Sequence, residues 1–240
     1  MKYIIHRAEE RGKANLGWLD TKYSFSFAEY FNPAKMGFGL LRVFNDDIVM
    51  PKEGFGTHPH NNMEIITIIL EGQLEHRDSM GNGSIIQKNE VQVMSAGSGI
   101  THSEFNPSKD EKVNLLQLWI FPKENNITPR YEQKVFHAED RNNSLITVVT
   151  GEKSNDSLYI HQSAEIKSGK FDKNKKLKYS SPVDKGSYLF IISGHLKIED
   201  EELFRRDAIG IFPDSNFEIE FLENSEFIII DVPMNHKKKL

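Results

Sequence analysis

The chain has no cysteine in 240 residues, which excludes disulfides and thiolate-bound metal. Nor does any run approach the roughly 20 apolar residues of a membrane span. The first residues, Met1 to Arg7, contain no apolar stretch of signal-peptide length, so a cytoplasmic, non-membrane protein is expected. Positive charge is not in excess either. The net charge is −5, which argues against nucleic acid as a direct partner. Six lysines between Lys167 and Lys178, and Lys237 to Lys239 at the end, come without arginine, and a solvated loop and tail are expected there. The frequent Phe, Ile and Val point to a β-rich globular protein with ample core.

One stretch carries the chemistry. It opens with Gly56-Thr57-His58-Pro59-His60 and closes with Gly97-Ser98-Gly99-Ile100-Thr101-His102-Ser103-Glu104. Each end holds two potential metal ligands at i, i+2, a spacing that puts both side chains on one face of a strand. Two such strands facing each other inside a barrel bring His58, His60, His102 and Glu104 to one point. Three imidazoles and a carboxylate suit Fe, Mn, Co, Ni, Cu or Zn. Between the ends, Ile65 to Leu70 reads as a β-branched strand and Gly72 as a turn. The other histidines lack a partner motif. His6 and His76 read as surface residues, and His137, His161, His195 and His236 carry no assignment.

Further along, Tyr23 to Phe27 alternates aromatic and small polar residues like a strand. Gly37 to Phe44 reads as another strand, ended by Asn45-Asp46-Asp47. Aromatic residues Tyr23, Phe25, Phe27, Phe38 and Phe44 read as barrel core. Val113 to Phe121 is a clear strand, and Glu124 to Glu132 reads as a connector. A second, fainter copy follows. Ser187 to Leu196 echoes Thr67 to Leu74, with Gly194 in the place of Gly72, and Arg206 to Pro213 echoes Asn89 to Ser95. This duplication predicts an all-β protein of two tandem barrels, residues 1–135 and 136–240. Carried across, the four ligand positions become Ser180, Pro182, Ile219 and Phe221, so the second barrel is expected to hold no metal.

His58, His60 and Gly72, with Gly97, Gly99, His102 and Asn106, match the two-part cupin signature. The usual glutamate of its first part falls at Ile65 rather than Glu64, and Glu104 is its natural replacement. The His-x-His plus His-x-Glu pattern resembles the pirin family of cupins. Gly17-Trp18-Leu19-Asp20 and Asn45-Asp46-Asp47 extend the likeness, from near the N-terminus to about Phe136, toward bacterial pirin-like proteins. The resemblance implies a bicupin, two tandem antiparallel jelly-roll barrels with minor helices. It also implies one divalent transition-metal ion, iron first, on His58, His60, His102 and Glu104. The implied reaction is that of a quercetin 2,3-dioxygenase, which opens the heterocyclic ring of a flavonol with dioxygen and releases carbon monoxide. Glu104 is then the candidate base for the flavonol 3-hydroxyl. A rival implication is a non-enzymatic, metal-dependent regulator that binds a transcription factor or metabolic enzyme. A wide pocket beside the metal favours catalysis; a closed site under a flat patch favours regulation. The internal duplication supplies a barrel-to-barrel interface within one chain, so a monomer is expected.

Overall fold

The computed structural model describes residues 1–235; His236 and the terminal lysines lie outside the described residues. Its first half holds β1 (Tyr3–His6), β2 (Gly12–Asn15), β3 (Leu19–Tyr23), β4 (Leu41–Val49), β5 (Gly54–His60), β6 (Glu64–Glu71), β7 (Gln73–Asp78), β8 (Gly83–Gln87), β9 (Glu90–Ser95), β10 (Ile100–Phe105), β11 (Val113–Ile120) and β12 (Arg130–Val135). The second half holds β13 (Ser144–Thr150), β14 (Leu158–Tyr159), β15 (Glu165–Phe171), β16 (Lys176–Ser180), β17 (Lys185–Ser193), β18 (His195–Ile198), β19 (Glu201–Phe204), β20 (Ala208–Ile211), β21 (Asn216–Phe221) and β22 (Ser225–Pro233). Among the described residues, helix is confined to two single 3-10 turns, Ala8–Glu10 and Glu139–Arg141. No described helix is long and apolar enough to cross a membrane.

Each half is a barrel of one seven-stranded and one four-stranded sheet. The first has β12-β9-β6-β11-β4-β3-β2 over β5-β10-β7-β8, and the second β1-β20-β17-β22-β15-β13-β14 over β16-β21-β18-β19. The two large sheets pack back to back through one core layer in which Phe44, Ile66 and Leu118 meet Tyr188, Phe190 and Ile228. Strands β6 and β11 are therefore buried on both faces, which is why they read as near-continuous apolar runs. Ile66 and Leu118 join the inter-barrel layer; Ile69 and Leu115 face the first barrel's interior. That interior has two apolar ends, one around Val49, Leu74 and Ile86, the other around Ile65, Met94 and Ile100.

The repeat seen in the sequence is real at the level of hydrogen bonds. Gly72 (φ 75°) and Gly194 (φ 95°) make the same left-handed turn between equivalent strands, β6 to β7 and β17 to β18. A Cβ on Gly72 would lie 2.6 Å from the Lys112 carbonyl oxygen, so the turn admits glycine alone.

Several elements differ from expectation. Strand β1 pairs with β20, so the first strand of the chain completes the second barrel's sheet, whereas the sequence division at 135/136 places it with the first. β12 does the equivalent job on β9, so part of the expected connector is an edge strand. β3 ends at Tyr23, and Ser24 to Phe27 is irregular, its backbone held by Phe44, Lys35 and Tyr30. Asn45-Asp46-Asp47 does not end β4, which runs on to Val49 with all three buried, because β11 and β3 satisfy its backbone on both sides. The lysine-rich segment is two strands and a turn. Lys167 is 17% exposed and its ammonium reaches Asp231 at 2.6 Å, because Asp231 is wholly buried and needs a cation.

Candidate metal centre

His58 and His60 lie on β5, and His102 and Glu104 on β10. The two strands are hydrogen-bonded neighbours with His102 opposite His58, not strands facing each other across the barrel. The register shifts between His102 and Glu104, where β5 carries an extra residue. Both i, i+2 pairs still point inward. Ligand atoms of His58, His60 and His102 lie within 4.8 Å of one another, and so do those of His76, His102 and Glu104.

The unsatisfied atoms show what the donors lack. His58 Nδ1 is 2.8 Å from the Gly56 carbonyl, which leaves Nε2 free. His102 Nε2 and Glu104 Oε1 are buried with no hydrogen-bond partner among the described residues. Such orphaned atoms are costly, and a divalent cation would satisfy both. Burial and the neighbouring His58 lower His60 to about 4, and burial with three neighbouring imidazoles lowers His102 to about 3. Both rings are thus neutral at physiological pH, as ligation requires. Burial raises Glu104 to about 7 against the opposing hydrogen bond from Gln117. Without a cation the group is therefore largely protonated below pH 7, and a bound cation would favour its ionised form. The donor set therefore fits one divalent transition metal.

His76 is fully buried, so the sequence expectation of a surface residue is wrong. On β7 it is opposite Glu104 in register. Its Nε2 lies 3.2 Å from Asp78 Oδ2, its Nδ1 lies 3.4 Å from His102 Nδ1, and its ring stacks on Tyr131. With Asp78 accepting from Nε2–H, His76 Nδ1 is an acceptor shared by Gln92 Nε2 at 3.3 Å and His102 Nδ1, which leaves the buried His102 Nε2 as the lone pair for an ion. His6 is buried too, 3.0 Å from the Tyr188 hydroxyl in the inter-barrel layer, and burial lowers it to about 4. Glu64 points to the barrel junction, where Ser95 Oγ donates at 2.7 Å and the His161 backbone N–H at 3.2 Å.

The large sheet answers these donors with a polar row. Gln92, Thr67, Gln117, Asn45 and Tyr23 occupy one register position across β9, β6, β11, β4 and β3. Gln117 Nε2 donates to Glu104 Oε2 at 2.9 Å, and Trp119 Nε1 donates to Gln117 Oε1 at 3.2 Å. The signal for this row was one Gln inside the apolar run of β11, recognisable only with the facing strands in hand. Beside it a cavity of about 220 Å³ opens onto His58, His60 and Glu104, with walls that include Tyr23, Phe27, Phe55 and Trp119. Of the aromatics read as core, Tyr23 and Phe27 line this cavity, while Phe25, Phe38 and Phe44 are core. Asn45 Oδ1 has no hydrogen-bond partner among the described residues, and burial raises the Asp47 carboxyl to about 7.

In the second barrel the hairpin glycines and strand pairings put Tyr179 and Ser181 at the places of His58 and His60, and Phe217 and Ile219 at those of His102 and Glu104. The sequence mapping was displaced by one residue on the first strand and two on the second. Ile198 stands where His76 does, and Ile209, Leu189 and Ile229 replace Gln92, Thr67 and Gln117.

Residues 5–120 match the Pirin family model, and residues 147–232 match the model of the quercetinase C-terminal cupin domain. A quercetin 2,3-dioxygenase of Escherichia coli (strain K12) is 41% identical over 229 residues, 95% of this chain and 98% of that protein. A pirin-like protein of Caulobacter vibrioides is 36% identical, covering 93% and 96% of the two chains. The crystal structure of bacterial pirin YhhW from Escherichia coli in complex with nickel(II) has a TM-score of 0.92 at 39% identity, covering 97% and 99%. A quercetin 2,3-dioxygenase from Acinetobacter baumannii, with a TM-score of 0.77 and 19% identity over 95% and 85%, shares the fold.

Proposed function

The chain belongs to the pirin family of cupins, and from that premise we propose that it is a metal-dependent dioxygenase that opens the heterocyclic ring of a flavonol such as quercetin and releases carbon monoxide. The observation that carries this reading is the aromatic-walled cavity on the candidate ligands, which gives a flat phenolic molecule access to them. In this reading His58, His60, His102 and Glu104 hold one divalent ion. When bound, that ion supplies a Lewis-acidic centre for the flavonol oxygen and dioxygen.

The protein's own groups do the rest. Glu104 accepts the proton of the 3-hydroxyl while Gln117 holds its Oε2. Gln117 is itself held by Trp119, so the carboxylate cannot swing away from the cavity. Aromatic walls exclude water from the flavonol rings and orient them. Asn45, whose Oδ1 has no partner among the described residues, faces the same cavity and accepts a hydrogen bond from a substrate hydroxyl.

The test is carbon monoxide release from quercetin in air, with protein loaded separately with Fe, Mn, Co, Ni and Cu, and Glu104→Gln beside it. Release that depends on the ion and fails in the variant supports the assignment and identifies the working metal. Stoichiometric metal without release from any form removes the flavonol reading and turns the cavity over to another substrate or to a regulatory role.

A further inference from the structure

Strand β4 carries polar side chains on both faces. Asn45 and Asp47 face the metal cavity, while Asp46 and Ile48 face a separate cavity of about 340 Å³ on the back of the sheet. It lies where the turn between β19 and β20 meets the first barrel.

Its floor is two guanidiniums on one carboxylate. Arg11, 2% exposed at its side chain, reaches Asp46 Oδ2 at 3.5 Å, and Arg206, 15% exposed, reaches the same oxygen at 3.1 Å. Both cover the Phe190 ring, at 5.2 and 5.9 Å from its centroid. The other Asp46 oxygen is taken by Asn114 Nδ2 at 2.9 Å. One negative charge thus faces two positive ones, and Arg11 Nε and Arg206 Nη1 have no hydrogen-bond partner among the described residues. Burial lowers the pKa of both guanidiniums, and Asp46 offsets it only in part. At the rim, Arg205 and Lys112 are exposed and have no carboxylate partner among the described residues, whereas Lys22 is taken by Asp20. With Glu71 the remaining acid, the lining carries five cations and three carboxylates, in a chain whose net charge is −5.

A buried excess cation is costly unless an anion completes it, and guanidinium forks match oxyanions in geometry as well as charge. We propose that this cleft binds a compact, multiply charged oxyanion, a phosphate group or a pair of carboxylates, held by Arg206, Arg205 and Lys112 above the Asp46 pair. The ligand sits at the junction of the two barrels, one strand behind the metal cavity, and ties the β19–β20 turn to the first barrel.

The test is calorimetric titration of the metal-loaded protein at low ionic strength with inorganic phosphate, pyrophosphate and succinate, which separates phosphate from dicarboxylate recognition. Wild type should show one saturable site for at least one of these anions. The double variant Arg205→Gln/Lys112→Gln alters exposed side chains outside the metal site, and it should bind about tenfold more weakly. Arg206→Gln should abolish the site, with thermal unfolding as the check on its fold. Absence of saturable binding of all three anions overturns the proposal. So does binding of undiminished strength in the double variant, which would place the anion at the metal or elsewhere.

Discussion

At the scale of single residues, the site depends on His60 and His102 staying neutral and on a carboxyl, Glu104, that burial keeps mostly protonated below pH 7. His102→Ala removes the donor at the centre of both potential ligand groups, and bound metal should fall from one equivalent to none by elemental analysis. Glu104, raised to about 7, is mostly protonated at pH 6 in the metal-free protein and must lose that proton on ligation. Metal titration in weak buffer at pH 6 should therefore release about one proton more from wild type than from Glu104→Gln, and the difference should vanish by pH 8. An equal release at pH 6 would show that Glu104 is not a ligand. His76 touches His102 but does not complete the His58 and His60 group, so its effect is on orientation. His76→Phe keeps the stacking on Tyr131 and loses the acceptor; metal affinity measured by chelator competition should fall about 10- to 100-fold.

At the scale of elements, the two barrels show one pairing scheme filled in two ways. Where the first has a polar row facing its donors, the second has Ile209, Leu189 and Ile229, with Lys167 at the place of Asn45. That lysine carries the second barrel's own internal charge. Its ammonium meets Asp231 at 2.6 Å and the Tyr179 hydroxyl at 2.9 Å, and Ser187 Oγ donates to Asp231 at 2.6 Å. Asp231→Leu removes the buried counter-charge of Lys167 and leaves it only the more exposed Glu165, whose Oε2 lies 3.0 Å from the ammonium; the change should cost about 3 kcal/mol. In a chain of this size that lowers Tm by about 10 °C, read by calorimetry. Lys167→Met/Asp231→Leu removes both charges and should recover most of the loss. If the double variant is as unstable as the single, packing rather than charge explains the cost.

At the scale of the whole molecule, the barrels share a core layer, and the chain's first strand crosses into the second barrel. β1 caps the edge of β20, and without it the second barrel presents unpaired backbone at that edge. Residues 136–240 expressed alone lack this strand and also expose the layer built on Tyr188 and Phe190. They should aggregate or show no cooperative unfolding. Deleting residues 1–7 from the full chain should lower its Tm, with the loss centred on β20 in hydrogen exchange. A fragment 136–240 that unfolds cooperatively as a monomer would contradict this account.

Local features were legible in the chain alone. The i, i+2 pairs at His58 and His60 and at His102 and Glu104 put each pair on one face of one strand, because strand geometry has a period of two. Gly72 and Gly194 marked equivalent turns because a left-handed backbone admits few other residues. The all-β class and the duplication followed from such local signals. Tertiary structure alone decided what depends on partners distant in the chain. Asn45 to Asp47 are polar and adjacent, which locally reads as the end of a strand, yet β11 and β3 carry β4 through them. His76 and Gln117 lie in no ligand motif, and they enter the site only because β7 and β11 bring them to His102 and Glu104. Lys167 reads as one of six solvated lysines until β22 sets Asp231 beside it. In each case burial of the partner, which no local pattern encodes, fixes the role of the residue.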